Sequence, residues 1–190
     1  PERKTIFGRK FQDLRYGENP HQKSSIYISD YEDKKIGFEQ LNGKELSFNN
    51  YNDIFSSLNI LESAKGKACT VIVKHANPCG VSENRKPIES YKNALACDPV
   101  SAFGGIIACN YRINKKIALE INKNFSEVIL AKGFDKDSLK ILKRKKNLRL
   151  IDISKYQYND GLPIKNFDGS FLIQNKDKII IDKKKIEVCH

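Results

Sequence analysis

No apolar run in this sequence is long enough to cross a membrane, which takes about 20 consecutive apolar residues. The first residues also lack the basic stretch and apolar core of a secretory signal. These absences argue against a membrane or secreted protein, and we expect a cytoplasmic protein with no membrane partner. Internal repeats and low-complexity linkers are missing as well, and 190 residues suffice for one domain with its own core.

Cysteine occurs at five positions, an odd number that suits reduced cytoplasmic thiols better than a disulfide framework. Pro78 and Cys79 match the start of the P-C-x-x-C signature of zinc-dependent deaminases. The second cysteine is missing because Ser82 occupies its position, and no H-x-E motif precedes the pair. We therefore expect no zinc and no other metal.

Arginine is scarce: the net charge of +11 arises from 34 basic side chains of which only seven are arginine. A bias toward Lys, Ile and Asn is typical of an AT-rich genome, and this is our leading explanation for the charge. The alternative is an electrostatic field that attracts anionic ligands. No basic strand studded with aromatic residues and no nucleic-acid-binding motif is present, so nucleic-acid binding is not predicted.

What the sequence does contain is an alternation of strand and helix patterns between residues 48 and 153. Helical periodicity covers 48–64, 87–96, 115–123 and 135–146. Short apolar runs predict strands at 25–29, 70–73, 106–109, 128–131 and 148–153. This alternation predicts a layered α/β domain whose mixed, partly parallel sheet is flanked by helices. Residues 1–13 are predicted to be a linker or arm, and 171–173 with 179–181 a hairpin.

One predicted strand runs directly into a lysine and a histidine, in the stretch TVIVKHANPCGV at 70–81. Lys74 and His75 follow its apolar residues, and ligands in open α/β sheets collect beyond the carboxyl ends of strands. Neighbours on a strand face opposite sides, so both side chains can serve one site only if the backbone bends there. We expect that bend in the Asn-Pro-Cys-Gly segment 77–80. The alternative is a solvated lysine and histidine at a sheet edge.

Four segments in series resemble one known family. They are LRYGENPHQ at 14–22, LSFNNYND at 46–53, VKHANPCG at 73–80 and DPVSAFGG at 98–105. In this order and spacing they are similar to the transformylase region of the bifunctional purine biosynthesis proteins, in which aminoimidazole carboxamide ribonucleotide (AICAR) formyltransferase is fused to IMP cyclohydrolase. The resemblance covers residues 11 to 153, with weaker continuity to the end.

The resemblance implies a domain organisation. The family's formyltransferase region consists of two cytidine-deaminase-like subdomains, and residues 14–190 look like the first of them, truncated at the C-terminus. Residues 1–13 would be the linker from an N-terminal cyclohydrolase domain. The family works as a homodimer with sites built from both subdomains, so we expect an isolated chain of this length to be inactive.

The resemblance also implies an activity, the transfer of a formyl group from the co-substrate 10-formyltetrahydrofolate to the AICAR amine in purine biosynthesis. His75 matches the family's catalytic histidine, and an imidazole can remove the amine proton near neutral pH. Lys74 matches the family's lysine, which can stabilise the charge that develops as the folate nitrogen leaves. The parent protein would also be an IMP cyclohydrolase.

The remaining family matches concern substrate binding. They are Arg15, Tyr16 and Asn50 for the nucleotide, Ser101, Phe103, Gly104 and Gly105 for a loop that lines the substrate site, and Glu127 near the folate. A guanidinium donates a planar fork of hydrogen bonds that suits phosphate. Each position also has a purely structural interpretation: Arg15 anchors its own loop, Asn50 caps a helix, and the Ser101–Gly105 loop is an ordinary turn.

Two other functions compete with formyl transfer. A non-catalytic nucleotide- or RNA-binding module on a deaminase-like fold would need no Lys-His pair, so the intact pair counts against it. A true deaminase would need the zinc ligands that the sequence lacks.

Overall fold

The computed structural model describes residues 3–29, 36–64, 66–158 and 161–177. These residues fall into two compact units that divide between Tyr156 and Gln157. The first unit contains a two-stranded ribbon, a six-stranded sheet and four helices, and the second contains one hairpin.

The first unit opens with an antiparallel ribbon of β1 (Gly8–Leu14) and β2 (Ser24–Ser29). Residues 1–13, which the sequence predicts to be a linker or arm, form strand β1 from Gly8 onward. Strand β1 lacks an alternating apolar pattern because both of its faces are largely exposed, so the sequence carries no signal of a half-buried strand. Asp13 and Ser25 join the two strands through a 2.6 Å hydrogen bond from Ser25 Oγ to the carboxylate.

The main sheet confirms the predicted mixed α/β architecture. Its six strands are β3 (Glu39–Asn42), β4 (Ala68–Lys74), β5 (Asn77–Asn84), β6 (Ile106–Cys109), β7 (Val128–Ala131) and β8 (Arg149–Asp152). Their order across the sheet is β3-β8-β7-β6-β4-β5. Strands β6, β7 and β8 are parallel, whereas β4 runs antiparallel to β6, β5 to β4 and β3 to β8. Strands β6 and β7 are buried at every position, as expected where both faces of a parallel sheet are covered.

Four helices accompany the sheet: α1 (Phe48–Glu62), α2 (Pro87–Cys97), α3 (Lys115–Ile121) and α4 (Lys136–Leu142). Each starts within a residue of its predicted position because the start signals are local. Ser47 and Asn50 form a reciprocal capping box at α1, and Asn114 caps α3 through the Ile117 amide. Helix α4 is shorter than predicted because its periodic residues continue in tighter i→i+3 turns, such as Lys145 N–H to the Leu142 carbonyl at 3.1 Å.

The chain reversal after β4 is not where the sequence placed it. We expected the bend at 77–80, but these residues begin β5, and the reversal occurs at His75 and Ala76. Pro78 is tolerated because β5 is an edge strand of the sheet. Gly80 is required for a different reason: a Cβ there would overlap the Ala94 carbonyl oxygen of α2, so the glycine lets helix and strand approach closely.

Among the described residues, no helix is long and apolar enough to cross a membrane.

The core of the first unit lies between the sheet and its helices. Its buried cluster draws on β4, β6, β7 and β8 and on α2, α3 and α4, with Tyr91, Ile117, Ile129 and Leu142 among the fully buried side chains. Helix α1 adds Ile54, Leu58 and Leu61, all nearly inaccessible to solvent. This packing fixes the ends of the strands, where the candidate site lies.

The second unit contains β9 (Ile164–Phe167) and β10 (Ser170–Ile173), which form an antiparallel hairpin. The sequence predicted a hairpin here but paired 171–173 with 179–181. The structure pairs 171–173 with 164–166, and residues 179–181 lie outside the described part of the chain.

Candidate active site

The Lys-His pair lies at a two-residue hairpin loop with unusual backbone angles. Lys74 pairs with Asn77 across the β4–β5 ladder, so His75 and Ala76 alone form the loop. Their φ angles are 53° and 59°, in the left-handed region. A tight hairpin loop with two positive φ angles normally uses Asn-Gly, because other L-residues lose about 1–2 kcal/mol each in that conformation. Such backbone strain persists only where the surrounding structure stabilises it.

Two hydrogen bonds stabilise this loop. The Ala76 amide donates to the Asp53 carboxylate of α1 at 2.6 Å, a short bond of the charge-assisted kind. The Asn77 side-chain amide donates to the His75 carbonyl at 2.7 Å. The His75 side chain is exposed at the loop, so a substrate can reach the imidazole directly.

Lys74 is half-buried and points toward the loop that precedes β6. Its Nζ donates to the Phe103 carbonyl at 2.9 Å. The structure thus brings the predicted catalytic pair and the predicted Ser101–Gly105 loop into contact. An ammonium held on a backbone carbonyl can stabilise developing negative charge, and an exposed imidazole can accept a proton.

The site follows only in part the rule that ligands collect beyond the carboxyl ends of strands. Lys74 and His75 do follow the carboxyl end of β4. Because β4 is antiparallel to β6, however, the same edge holds the amino ends of β6, β7 and β8. Glu127, immediately before β7, and Arg149, the first residue of β8, lie at this edge. The carboxyl-end rule therefore describes only one of the contributing strands.

The Ser101–Gly105 loop has a defined structure of its own. The Asp98 carboxylate accepts from the Ser101 amide at 2.9 Å, and hydrogen bonds from Ser101 lower the pKa of this exposed carboxyl group. Gly104 has a φ of 75°, and a Cβ on Gly105 would be 2.9 Å from the Val73 carbonyl oxygen. The Phe103 ring is exposed and lies 5.3 Å from that of Phe125, centroid to centroid. The ordinary-turn interpretation explains the glycines, while the exposed Phe103 leaves an apolar surface beside Lys74.

Asn50 has the structural role that the sequence allowed as an alternative. Its Oδ1 accepts from the Ser47 amide in the capping box at 3.2 Å. Its Nδ2 donates to Glu127 Oε2 at 3.2 Å, and Arg149 Nη1 lies 3.9 Å from the same oxygen. Asn50 is only 4% exposed, whereas the Glu127 side chain is 47% exposed. Of the two, Glu127 is therefore the group more accessible to a ligand, and a nucleotide contact by Asn50 stays a prediction.

Arg15 and Tyr16 follow β1, next to the ribbon. The Arg15 side chain is exposed, with its guanidinium carbon 5.7 Å from the centre of the Tyr16 ring. The loop that follows is closed by a 2.8 Å bond from the Gly17 amide to the Gln22 carbonyl. Asn49 donates from its side chain to the Glu18 carbonyl at 3.3 Å, which places the loop against the start of α1.

The first two turns of α1 connect three of the predicted motifs. Asn49 contacts the Arg15–Tyr16 loop, Asn50 contacts Glu127, and Asp53 contacts the Lys-His hairpin. Sequence reasoning missed Asp53. The available signal was its place three residues after Asn50, which puts both on one face of the helix, inside a motif already singled out.

Metal binding finds no support in the described residues. Across 3–29, 36–64, 66–158 and 161–177, no group of three or more His, Cys, Asp or Glu side chains is arranged to hold a metal ion. Burial raises the pKa of Cys79, and the nearby Asp98 raises it further. The absence of zinc from the working protein stays a prediction.

Known proteins resemble this chain over its whole length. A family model described as AICARFT/IMPCHase bienzyme matches residues 1–190. The bifunctional purine biosynthesis protein PurH of Thermoanaerobacter sp. (strain X514) is 42% identical over 189 residues, which cover 99% of this chain and 37% of that protein. PurH of Brachyspira hyodysenteriae is 43% identical, and the match covers 92% of this chain and 35% of that protein. PurH of Clostridium acetobutylicum is 40% identical, and the match covers 98% of this chain and 37% of that protein. The chain thus spans a little over a third of the length of these relatives.

Proposed function

This chain belongs to the AICARFT/IMPCHase bienzyme family, and we propose that its part in purine biosynthesis is the formyl-transfer step. The reaction would move a formyl group from 10-formyltetrahydrofolate to the amine of AICAR. The observation that carries the proposal is the hairpin loop that presents His75 to solvent while Lys74 bonds to the neighbouring Phe103 carbonyl. Sheet, helix and loop all contribute to holding this pair.

The bond changes define what each side chain would do. A C–N bond forms between the AICAR amine and the formyl carbon, and the bond from that carbon to the folate nitrogen breaks. The amine is conjugated with its ring and is a poor nucleophile, so His75 accepts its proton during attack. Lys74 stabilises the charge of the tetrahedral intermediate or supplies the proton that the leaving nitrogen takes up.

The substrate-binding part of the proposal rests on exposed groups around this pair. The Arg15 guanidinium is free to donate a two-pronged hydrogen bond to a phosphate or carboxamide oxygen, with Tyr16 beside it. The Ser101–Gly105 loop lines the Lys74 side of the site, with Phe103 as an apolar surface. Glu127 is oriented by Asn50 and Arg149, which fits a carboxylate that contacts a ligand near the folate.

The rest of the enzyme is part of the same proposal. Because the chain spans about 37% of the length of its relatives, a cyclohydrolase domain, a second formyltransferase subdomain and a homodimer are proposed for the working protein. The deaminase-like character of this subdomain, its cytoplasmic location and the absence of nucleic-acid and membrane partners stay predictions with them.

The experiment is a tetrahydrofolate-release assay on the full-length protein with AICAR and 10-formyltetrahydrofolate. Wild type should turn over, and Lys74→Met should lower the rate by about a hundredfold or more, the scale seen when a group that stabilises transition-state charge is lost. Lys116→Met, an exposed lysine on α3, is the matched control and should keep the wild-type rate. No turnover by the full-length wild-type protein, with AICAR binding intact, would favour the non-catalytic binding module.

Substrate binding has its own test, because a binding module and an enzyme both need it. Arg15→Lys keeps the charge but loses the fork of donors, so it should weaken AICAR affinity in calorimetry. Equal affinity in the two proteins would remove Arg15 from the nucleotide site.

A further inference from the structure

We propose that Asp53 is a positioning residue of this site, which holds the His75–Ala76 loop in its left-handed conformation and thereby orients the His75 imidazole. The inference rests on the proposed formyl transfer for its kinetic consequence. Its structural content, a carboxylate that controls the backbone of the loop, is independent of the reaction.

The loop needs an external anchor. In a two-residue hairpin the ladder ends at the flanking pair, here Lys74 and Asn77, so the amide of the second loop residue lies outside the ladder. Ala76 has a Cβ and a φ of 59°, a conformation that alanine adopts only when its surroundings enforce it. The Asp53 carboxylate, 2.6 Å from the Ala76 nitrogen, is a partner from outside the hairpin that can enforce it.

Asp53 is placed rigidly enough to do so. It lies in the second turn of α1, whose first turn is fixed by the Ser47–Asn50 capping box. The next residue, Ile54, is completely buried, which fixes that turn of the helix against the core. The carboxylate itself is half-buried, so its bond to the amide is less exposed to competition from water than one on an open surface.

Asp53 acts through the backbone of the loop and is not itself placed on the substrate. Lys74 is held separately, by the Phe103 carbonyl, and the His75 carbonyl is held by Asn77. Loss of Asp53 should therefore leave Lys74 in place and let the His75–Ala76 peptide relax. An error of about 1 Å in a reacting group can cost on the order of a hundredfold in rate, which sets the scale of the expected effect.

The structural test is an NMR comparison of the full-length protein, labelled selectively at alanine and histidine, with its Asp53→Asn and Asn52→Ala variants. Asn52 is the exposed neighbour on the same helix and serves as the control. In wild type the Ala76 amide proton should be shifted downfield by its short hydrogen bond to the Asp53 carboxylate. In Asp53→Asn that downfield shift should shrink and the His75 ring signals should move, while Asn52→Ala should match wild type. An Ala76 amide and His75 ring unchanged in Asp53→Asn would overturn the proposal.

The kinetic test uses the full-length protein and a rescue variant. Asp53→Asn should lower kcat by about ten- to a hundredfold, with the AICAR KM within about twofold of wild type, since binding groups are untouched. Adding Ala76→Gly should restore several-fold of the loss, because glycine adopts positive φ without a bound anchor. A merely stabilising role for Asp53 in α1 would not respond to a change at Ala76.

The outcomes separate the two proposals. A loss of kcat that tracks a fall in melting temperature and is not rescued by Ala76→Gly would assign Asp53 to stability alone and overturn the positioning role. The positioning role would also be overturned if Asp53→Asn kept the wild-type kcat although its Ala76 amide signal had shifted. If the wild-type protein lacks formyl transfer, the proposed function fails. The NMR signals of the His75 ring still test the positioning role: Asp53→Asn should shift them, and adding Ala76→Gly should return them toward their wild-type positions.

Discussion

Two hairpins of this chain solve the same geometric problem with different residues. The β9–β10 hairpin turns through Asp168 and Gly169, and its positive φ of 66° falls on the glycine, where a Cβ would meet nothing within 4 Å. The β4–β5 hairpin turns through His75 and Ala76, both with positive φ. The first loop obeys the usual turn chemistry of its sequence, and the second departs from it.

The two loops differ in whether residues outside the loop stabilise its backbone conformation. Gly169 adopts its angle without help. His75 and Ala76 are contacted by Asp53 and Asn77, and the hydrogen bonds of these two residues stabilise the loop. Local rules of sequence tend to fail at functional sites, where the rest of the structure supplies the compensation. The His75–Ala76 loop, in which a histidine and an alanine both adopt positive φ angles, is thus poorly explained by local turn preferences.

The largest expected effect separates the two loops by activity. His75→Ala should lower formyl transfer by the full-length protein about 10²–10⁴-fold, the usual contribution of a positioned base, while AICAR binding stays largely intact. Asp168→Ala, in the other hairpin, is the matched control and should leave the rate unchanged. Single-turnover rates near wild type in His75→Ala would show that the loop is unusual for another reason.

A second effect compares the strands behind the loops. Gly80→Ala forces a Cβ against the Ala94 carbonyl oxygen of α2 and should lower the free energy of unfolding by about 1–3 kcal/mol through overpacking. Ser170→Ala, at an exposed position of β10, should change it by less than about 0.5 kcal/mol. Urea denaturation of both variants measures the difference, and equal midpoints would mean that β5 and α2 separate at little cost.

A smaller effect concerns the hairpin that follows the usual rules. Gly169→Ala should destabilise β9–β10 by about 1–2 kcal/mol, because the positive φ then falls on a residue with a Cβ. Amide hydrogen exchange should accelerate in 164–173 and stay unchanged in β6 and β7. Faster exchange throughout the first unit would indicate that the two units unfold together.

The smallest effect is the converse change in the site hairpin. Ala76→Gly removes the cost of a left-handed alanine but adds conformational freedom to the unfolded chain, and these contributions nearly cancel. We expect the free energy of unfolding to rise by no more than about 1 kcal/mol. A clear loss of stability in thermal denaturation would mean that Ala76 is not strained and that the two hairpins differ less than their angles indicate.

Much of the fold follows from local patterns that the sequence displays. Strands β6 and β7 appear at their predicted residues because each is a continuous apolar run, buried on both faces. Helix α1 begins at Phe48, directly after Ser47, which forms a capping box with Asn50. The missed strands β1, β3, β5 and β9 are edge, ribbon or hairpin strands, whose exposed faces remove the apolar pattern on which sequence reasoning depends.

The sequence by itself determined the α/β class, the family and the place of Lys74 and His75 at the end of a strand, because periodicity and short motifs are properties of neighbouring residues. Only the tertiary structure decided that the chain reverses at His75 and Ala76, that Lys74 meets Phe103, and that Asp53 holds the loop. These contacts join residues 23 to 29 positions apart. Which residues meet over such separations depends on how α1, β4 and β6 pack together, and local sequence preferences carry no information about that packing.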